Sequence, residues 1–272
     1  MLMPRLPGRN FLRNLVERRN LLFQLVRRDF SQRFVGSAAG WVWGVIHPLV
    51  LLVSWIFVFQ ICLEMKPGAG SVTDNYALWV FTGFLPWLLF QDTVQRSASS
   101  LLDHKGLITR TVFPAEIVPV SIFLSSLVNH LLALALLLGA IAIWIKHFTL
   151  IMLYLPVYML LLGLLAVGIG WIVASLHVYL RDTAQVVSVV MTFWFWMTPI
   201  MIGEDVIRKH GFGFVLKVNP LAFVVRAYRD RLLAGRAPSL SELGIIAGYA
   251  LASFVIGGLF FRHLKRGFAD VL

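Results

Sequence analysis

Charge is what this sequence has least of. Only 14% of its 272 residues are Asp, Glu, Lys or Arg, and 59% are hydrophobic. A soluble domain carries about 25% charged and ~45–50% apolar residues, so this chain has too little charge to cover a globule in water. The same apolar richness excludes intrinsic disorder. A bilayer is the solvent that fits. Acidic side chains are scarcer still, 13 against 24 basic ones, for a net charge of +11. In a soluble protein that imbalance points to nucleic acid. Here the basic residues hold span ends on the cytoplasmic side, and no nucleic-acid partner is expected. Cys62 is the sole cysteine, which excludes an intrachain disulfide or a cysteine metal cluster. Paired acids and metal-ligand spacings are missing too, so neither a metal site nor an enzymatic activity is expected. No Gly-x-x-x-x-Gly-Lys-Ser/Thr stretch occurs. Six spans would occupy about 120 residues, and the remainder is too short for an ATPase domain. No cofactor is expected in this chain; if ATP is used, another chain binds it.

Along the chain, residues 1–40 form a basic arm. Arg5, Arg9, Arg13, Arg18, Arg19, Arg27, Arg28 and Arg33 face only Glu17 and Asp29. Apolar residues recur at roughly helical spacing, which reads as an amphipathic helix on the inner membrane surface. It is a poor match to a signal peptide, being long and without a small-residue cleavage site. Apolar runs then predict spans at 41–63, 76–96, 117–145, 150–180, 186–202 and 243–261, with polar residues 97–114 between the second and third. The fold class is therefore an all-α integral membrane protein of six transmembrane helices. Basic residues settle the expected orientation. The arm, Arg96, Lys105, Arg110, Arg181 and the tail with Arg262, Lys265 and Arg266 fall on one side, against Lys66 and Lys146 in the short loops opposite. Both termini are expected in the cytoplasm. Residues 203–238 resist this scheme, with Arg208, Lys209, Lys217, Arg226, Arg229, Arg231 and Arg236 on the outer side. A further full span is excluded, because arginines at mid-bilayer cost about 2.5–3.5 kcal/mol each. Asn219-Pro220 reads as an N-cap followed by proline at the first helical position. Residues 203–238 are expected as a re-entrant or surface-lying helical hairpin at the outer face.

Several features in order carry a resemblance: Arg27-Arg28-Asp29-Phe30 through Arg33, Gly36-Ser37, Gly40, Trp43 and Pro48; Leu107-Ile108 to Phe113-Pro114; Arg181-Asp182; Asn219-Pro220 with Tyr228-Arg229; and the ending Phe268 to Leu272. From about Arg27 onward the chain resembles the permease subunit of a type-2 ABC exporter, of the polysaccharide and polyol-phosphate group that moves O-antigen, capsule or teichoic acid. The resemblance implies a homodimer of permeases in the cell inner membrane. It further implies two copies of a separate ATP-binding subunit carrying ATP and Mg, with lipid-linked polysaccharide and membrane lipids as the other partners. Residues 97–114 would hold the segment that docks on the ATPase, with Asp103, His104 and Lys105 at the coupling position. Residues 203–238 would be outer gate helices, marked by Asn219, Pro220, Tyr228 and Arg229. Teichoic-acid or capsule export remain alternatives within the group. An ion-coupled carrier is the rival from another class, and it usually needs carboxylates deep in the spans.

Two further sets of residues fit a path for polysaccharide. An aromatic face stacks on the C–H face of a sugar without fixed hydrogen bonds. Trp55 lies about 20 Å in from Trp41 and Trp87 about 16 Å in from Tyr76, and Phe193-Trp194-Phe195-Trp196 sits mid-span. At that depth an interface belt is not expected. These six are channel candidates, with core or lipid packing the competing assignment. Arg28, Arg33 and Arg181 approach the inner surface. Their guanidinium forks suit the phosphate of a lipid carrier, or they anchor the protein on anionic lipid. Asn129-His130 is the most polar spot within a span and fits interhelical hydrogen bonding.

Overall fold

The computed structural model describes residues 18–33, 37, 40–68, 73–110, 113–145 and 148–271. Among them there are helices and no strands. The part of the arm at 1–17 and the turn at Lys146-His147 lie outside the described residues. Helix α1 (Arg19–Gln32) is the described part of the arm. A short 3-10 turn (Gly40–Val42) leads into α2 (Trp43–Trp55), which continues as a π-helical stretch (Ile56–Cys62). Then come α3 (Tyr76–Asp103), α4 (Lys105–Arg110), α5 (Ile117–Trp144), a 3-10 entry (Leu150–Tyr154) into α6 (Leu155–Tyr179), and α7 (Thr183–Met197). Three helices, α8 (Glu204–Lys209), α9 (Gly213–Val218) and α10 (Pro220–Leu232), precede α11 (Leu240–Leu264), a further 3-10 turn and α12 (Phe268–Val271).

Side-chain caps set several starts, since the first amides of a helix lack intrahelical partners. Asn75 accepts from Leu78 N at 3.2 Å, Asn219 from Leu221 N at 3.0 Å and Ser239 from Glu242 N at 3.1 Å. Four helical segments are long and apolar enough to cross a membrane: α3, α5, α6 with its 3-10 entry, and α11 with its 3-10 exit. The remaining two of the six expected spans are shorter apolar helices, at Leu49–Cys62 and Thr183–Met197. The second helix also departs from expectation. It was expected to cross to residue 96, but α3 runs unbroken to Asp103. Its last turns keep Ser97, Ala98, Ser100 and Leu101 buried, and Ser97 lies against Gly170 of α6.

Helix α3 is the hub, packed by α5, α6, α7 and α10, while α11 lies along α6 and α1 along α5. Helices α6 and α11 come close together at their crossing. A Cβ at Gly257 would stand 2.1 Å from Gly168 O, so both helices need glycine at the crossing. Of the two alternatives for residues 203–238, re-entrant or surface-lying, the surface-lying one does not fit helix α10. Helix α10 buries Leu221, Val224, Val225, Tyr228, Arg231 and Leu232 against α3, α6 and α11.

Candidate functional site

Two sets of polar contacts run through this apolar protein, and His130, a member of the second, lines a cavity beside the first. The first ties the arm to the helix hub. Arg33, at the end of α1, donates from Nη2 to Asp92 at 2.9 Å and to Ser126 Oγ at 3.0 Å, and its Nε lies 3.6 Å from Asp29. Arg96 pairs with Asp29 and stands 3.6 Å from Asp92. Ser126 Oγ donates to Asp92 at 2.6 Å. Two arginines and two aspartates thus cancel in one cluster. The side chains are one-sixth to one-third exposed, so the pairs are partly screened. Beside the cluster a cavity of about 150 Å3 opens, with Arg33, His47, Asp92, Ser126, Asn129 and His130 among its lining residues.

The second set links residues 199–242 to the helices around them. His130 Nδ1 is 3.2 Å from Leu85 O and Nε2 is 3.1 Å from Tyr228 Oη. A carbonyl can only accept, so in the neutral ring Nδ1–H donates and Nε2 accepts from the Tyr228 hydroxyl. This joins α5 to α3 and α10. Arg229 lies over the Trp79 ring at 3.5 Å and donates to Pro199 O at 2.7 Å and Ile200 O at 2.8 Å. Gly83 makes room for it, because a Cβ there would come within 2.8 Å of Nη2. Arg226 holds Glu204 through two bonds of 2.8 and 2.7 Å, the fork geometry that makes such pairs strong. Arg231 is fully buried and donates to Tyr158 Oη at 2.6 Å and Glu242 at 3.2 Å. Asn219 caps α10 while accepting from Trp194 Nε1 at 2.9 Å and donating to Thr198 Oγ1 at 3.0 Å. Pro220 follows at the first turn. The expected gate residues Asn219, Tyr228 and Arg229 are therefore joints between helices.

The aromatic candidates divide. Trp87 and Phe195 are in the interior of the chain, 1% and 8% exposed. Trp55 stacks on Phe195 at 5.2 Å and meets Phe84 edge-on at 4.5 Å. Trp194 is partly buried and held by Asn219. Phe193 and Trp196 are exposed, at 68% and 52%. They share the open face of α7 with Val186, Val189 and Val190, and Trp196 reaches Phe59 of the first apolar helix at 6.4 Å. The three entrance arginines are not gathered either. Arg33 is engaged with α3 and α5, Arg28 is exposed on α1, and Arg181 is exposed on the turn between α6 and α7. At the expected coupling position, Asp103 and Lys105 are exposed where α3 gives way to α4, and His104 Nδ1 bonds Ser100 O at 2.8 Å. Glu116, just before α5, accepts from Lys265 at 2.5 Å, which ties the C-terminal turn to this end of the helices.

Sequence reasoning missed Asp92 and Glu242 as partners, while Ser126, one turn from Asn129-His130 in the polar spot expected to bond between helices, does so with Arg33 and Asp92. The signal present was the i,i+4 spacing of Asp29 with Arg33 and of Asp92 with Arg96, which puts each pair on one helix face. Nothing in the spacing says that the two pairs cross.

A family model described as ABC-2 type transporter matches residues 20–233. The chain belongs to that family. As a family member it is a transport permease subunit and not itself an enzyme. The matched range takes in the second half of the arm, the helix hub and the whole of α8 to α10. Among curated relatives, the O-antigen export system permease protein of Myxococcus xanthus is 26% identical over 260 residues, 95% of this chain and 98% of its own length. Two O-antigen export system permease proteins of Klebsiella pneumoniae are 25% and 24% identical, each covering 93% of this chain and 95% of the relative.

Proposed function

We propose that this ABC-2 permease is the transmembrane subunit of an ATP-driven exporter of lipid-linked polysaccharide, of the O-antigen type, in the cell inner membrane. It works as a homodimer with two copies of a separate ATP-binding subunit, which carries ATP and Mg. The observation that carries the substrate assignment is the end-to-end correspondence with O-antigen export permeases, 93–95% of this chain in three relatives. In this reading both termini are cytoplasmic. The arm lies on the inner interface, and Asp103, His104 and Lys105 meet the ATPase. Helices α8 to α10 form the outer gate, and the exposed rings Phe193 and Trp196 face the polysaccharide. Arg28 and Arg181 remain candidates for the phosphate of the lipid carrier.

The test is export by the purified permease with its ATPase partner in sealed vesicles loaded with lipid-linked polysaccharide. ATP-dependent movement of O-antigen supports the reading. Movement of capsule or teichoic-acid polymer in place of O-antigen reassigns the cargo, and ATP-independent movement driven by an ion gradient sinks the reading. In the same assay, reversing charge at both contact positions (Asp103→Lys with Lys105→Asp) is expected to leave the permease folded and lower export at least tenfold. Normal export by that double variant would remove the segment from ATPase docking.

A further inference from the structure

Helix α4, at the expected ATPase contact, cannot set its own position. Six residues are too few for a helix that is stable alone, and Asp103, Lys105 and Gly106 around its start are exposed. Where the segment sits is therefore decided at its two ends. The entrance is the last turn of α3, and the exit is Pro114 to Glu116. Glu116, the residue before α5, is held twice. Its carbonyl accepts from Trp171 Nε1 of α6 at 3.0 Å, and its carboxylate accepts from Lys265 at 2.5 Å. Lys265 opens the 3-10 turn (Lys265–Gly267) that follows α11. The same turn reaches the end of α6. Tyr179, the last residue of α6, donates to Leu264 O at 2.9 Å. A Cβ at Gly267 would lie 2.5 Å from the Tyr179 hydroxyl, so the turn sits directly against that side chain. Phe268 is 1% exposed, with its ring 5.5 Å from Phe261 and 6.2 Å from Tyr179. Phe261 in turn is 6.4 Å from Trp171. Ring contacts thus lead from Trp171, which holds Glu116, to Tyr179, where the chain turns towards α7.

We propose that the C-terminal turn, Lys265 to Phe268, is a brace that fixes the exit of the ATPase-docking segment against the ends of α6 and α11. Lys265 is its positioning residue, acting through Glu116, and the amount of polysaccharide moved per ATP depends on it. This rests on the export reading above and deepens it. Coupling between distant sites is carried by packed side chains and ion pairs that join rigid elements. Here the elements are the docking segment, α6 and α11, and the ion pair is Lys265 with Glu116. Both side chains are partly exposed, 38% and 17%. Pairs of that exposure contribute little to folding, so removing this one separates its effect on position from any effect on stability.

The experiment uses the whole permease with its ATPase partner in sealed vesicles and reads polysaccharide moved per ATP hydrolysed. Lys265→Met keeps an unbranched side chain and removes the charge. It is expected to lower that ratio at least threefold, with Lys265→Arg close to wild type. Lys265→Glu and Glu116→Lys should each lower it further, since like charges then face each other. Combining those two should restore the ratio to within twofold of wild type. A second measurement does not need export. In nanodiscs, hydrogen exchange of peptides covering 104–116 should rise at least threefold in Lys265→Met and return in the combined variant. Thermal unfolding in the nanodisc checks that the variants are folded. An unchanged ratio in Lys265→Met, or a combined variant no better than the single ones, overturns the brace. If the wild-type complex moves no polysaccharide, the exchange result decides. A rise that the combined variant reverses then keeps the brace and discards the export reading, and no rise discards the brace.

Discussion

Helices α3 and α11 are both long and apolar, yet they are arranged in opposite ways. In α3, 78% of the most apolar 18-residue stretch is buried; in the α11 segment 17% is, although that segment has the higher mean hydropathy. In water the more apolar helix would be the more buried one. In a bilayer the acyl chains are as good a solvent for Leu and Val as the protein interior. Burial therefore follows what can hydrogen-bond or pack closely. Helix α3 buries Thr82, Gly83, Thr93 and Ser97 and holds Asp92 in the arm cluster. Helix α11 exposes Leu251, Val255, Ile256 and Leu259, and it meets α6 through Gly257 and through Ser253, whose hydroxyl donates to Leu165 O at 2.9 Å.

The strongest way to break this arrangement is at Gly257, where α11 comes against the α6 backbone. In Gly257→Val the first carbon of the new side chain would lie 2.1 Å from Gly168 O and 2.9 Å from Gly168 Cα. Backbone cannot yield as a side-chain tip can, so the whole crossing must open. The expected outcome is loss of folded protein from the membrane fraction, measured by abundance and by size-exclusion profile in detergent. A monodisperse variant at normal abundance would mean that α11 does not dock on α6 as described.

A smaller loss is expected where α10 makes a charged contact with α11. Arg231 is fully buried between Tyr158 and Glu242. Arg231→Ala strands the Glu242 carboxylate, and breaking a buried pair from one side costs about 3–5 kcal/mol. Thermal unfolding in detergent should show a destabilised protein. Arg231→Met with Glu242→Gln should recover much of the loss, because the stranded charge is gone. If the single and double variants unfold alike, the pair does not bear on stability.

These arginines also show what could and could not be read from the sequence. The apolar runs at 117–145, 150–180 and 243–261 place α5, α6 and α11 to within a few residues, because length and hydropathy alone decide them. Asn219-Pro220 places the start of α10 by cap chemistry. The basic count failed to place 203–238, since counting treats every arginine as a charge that needs water. Arg226, Arg229 and Arg231 have partners from Glu204, the Pro199 and Ile200 carbonyls, and Glu242, and those contacts exist only once the helices are assembled. The aromatic quartet shows the same limit. Consecutive residues point around the helix at ~100° steps, so the four rings must part company, but which pair turns inward depends on where α3 and the first apolar helix sit.

On α3 itself the polar interior can be tested through the arm. Asp92→Leu removes the acceptor shared by Arg33, Ser126 and Arg96. The groups are partly exposed, so water takes over some of the bonding, and the loss is about 1–3 kcal/mol. The more telling readout is local: hydrogen exchange should rise in the α1 peptide while the α5 and α6 peptides stay protected. Unchanged exchange in α1 would show that the cluster does not hold the arm.

The smallest effect is expected on the outward face of α11, and it separates a bilayer-facing helix from a core helix most cleanly. Val255 is 55% exposed. Val255→Ser exchanges two methyl groups for a hydroxyl. In a water-soluble core such a change would leave a cavity and an unpaired hydroxyl, costing about 1–3 kcal/mol. On this face lipid chains close any gap, and a helical serine can bond the carbonyl four residues back, here that of Leu251. The change should therefore cost well under ~1 kcal/mol. The matching substitution inside the hub is Thr82→Val, which is nearly isosteric. Thr82 is fully buried and its hydroxyl donates to Leu78 O at 2.7 Å within its own helix, so this change too should be nearly neutral, because the carbonyl keeps its backbone bond. Thermal unfolding of both variants in one bilayer composition makes the measurement. A large loss for Val255→Ser alone would mean that a protein surface, and not lipid, covers that face of α11.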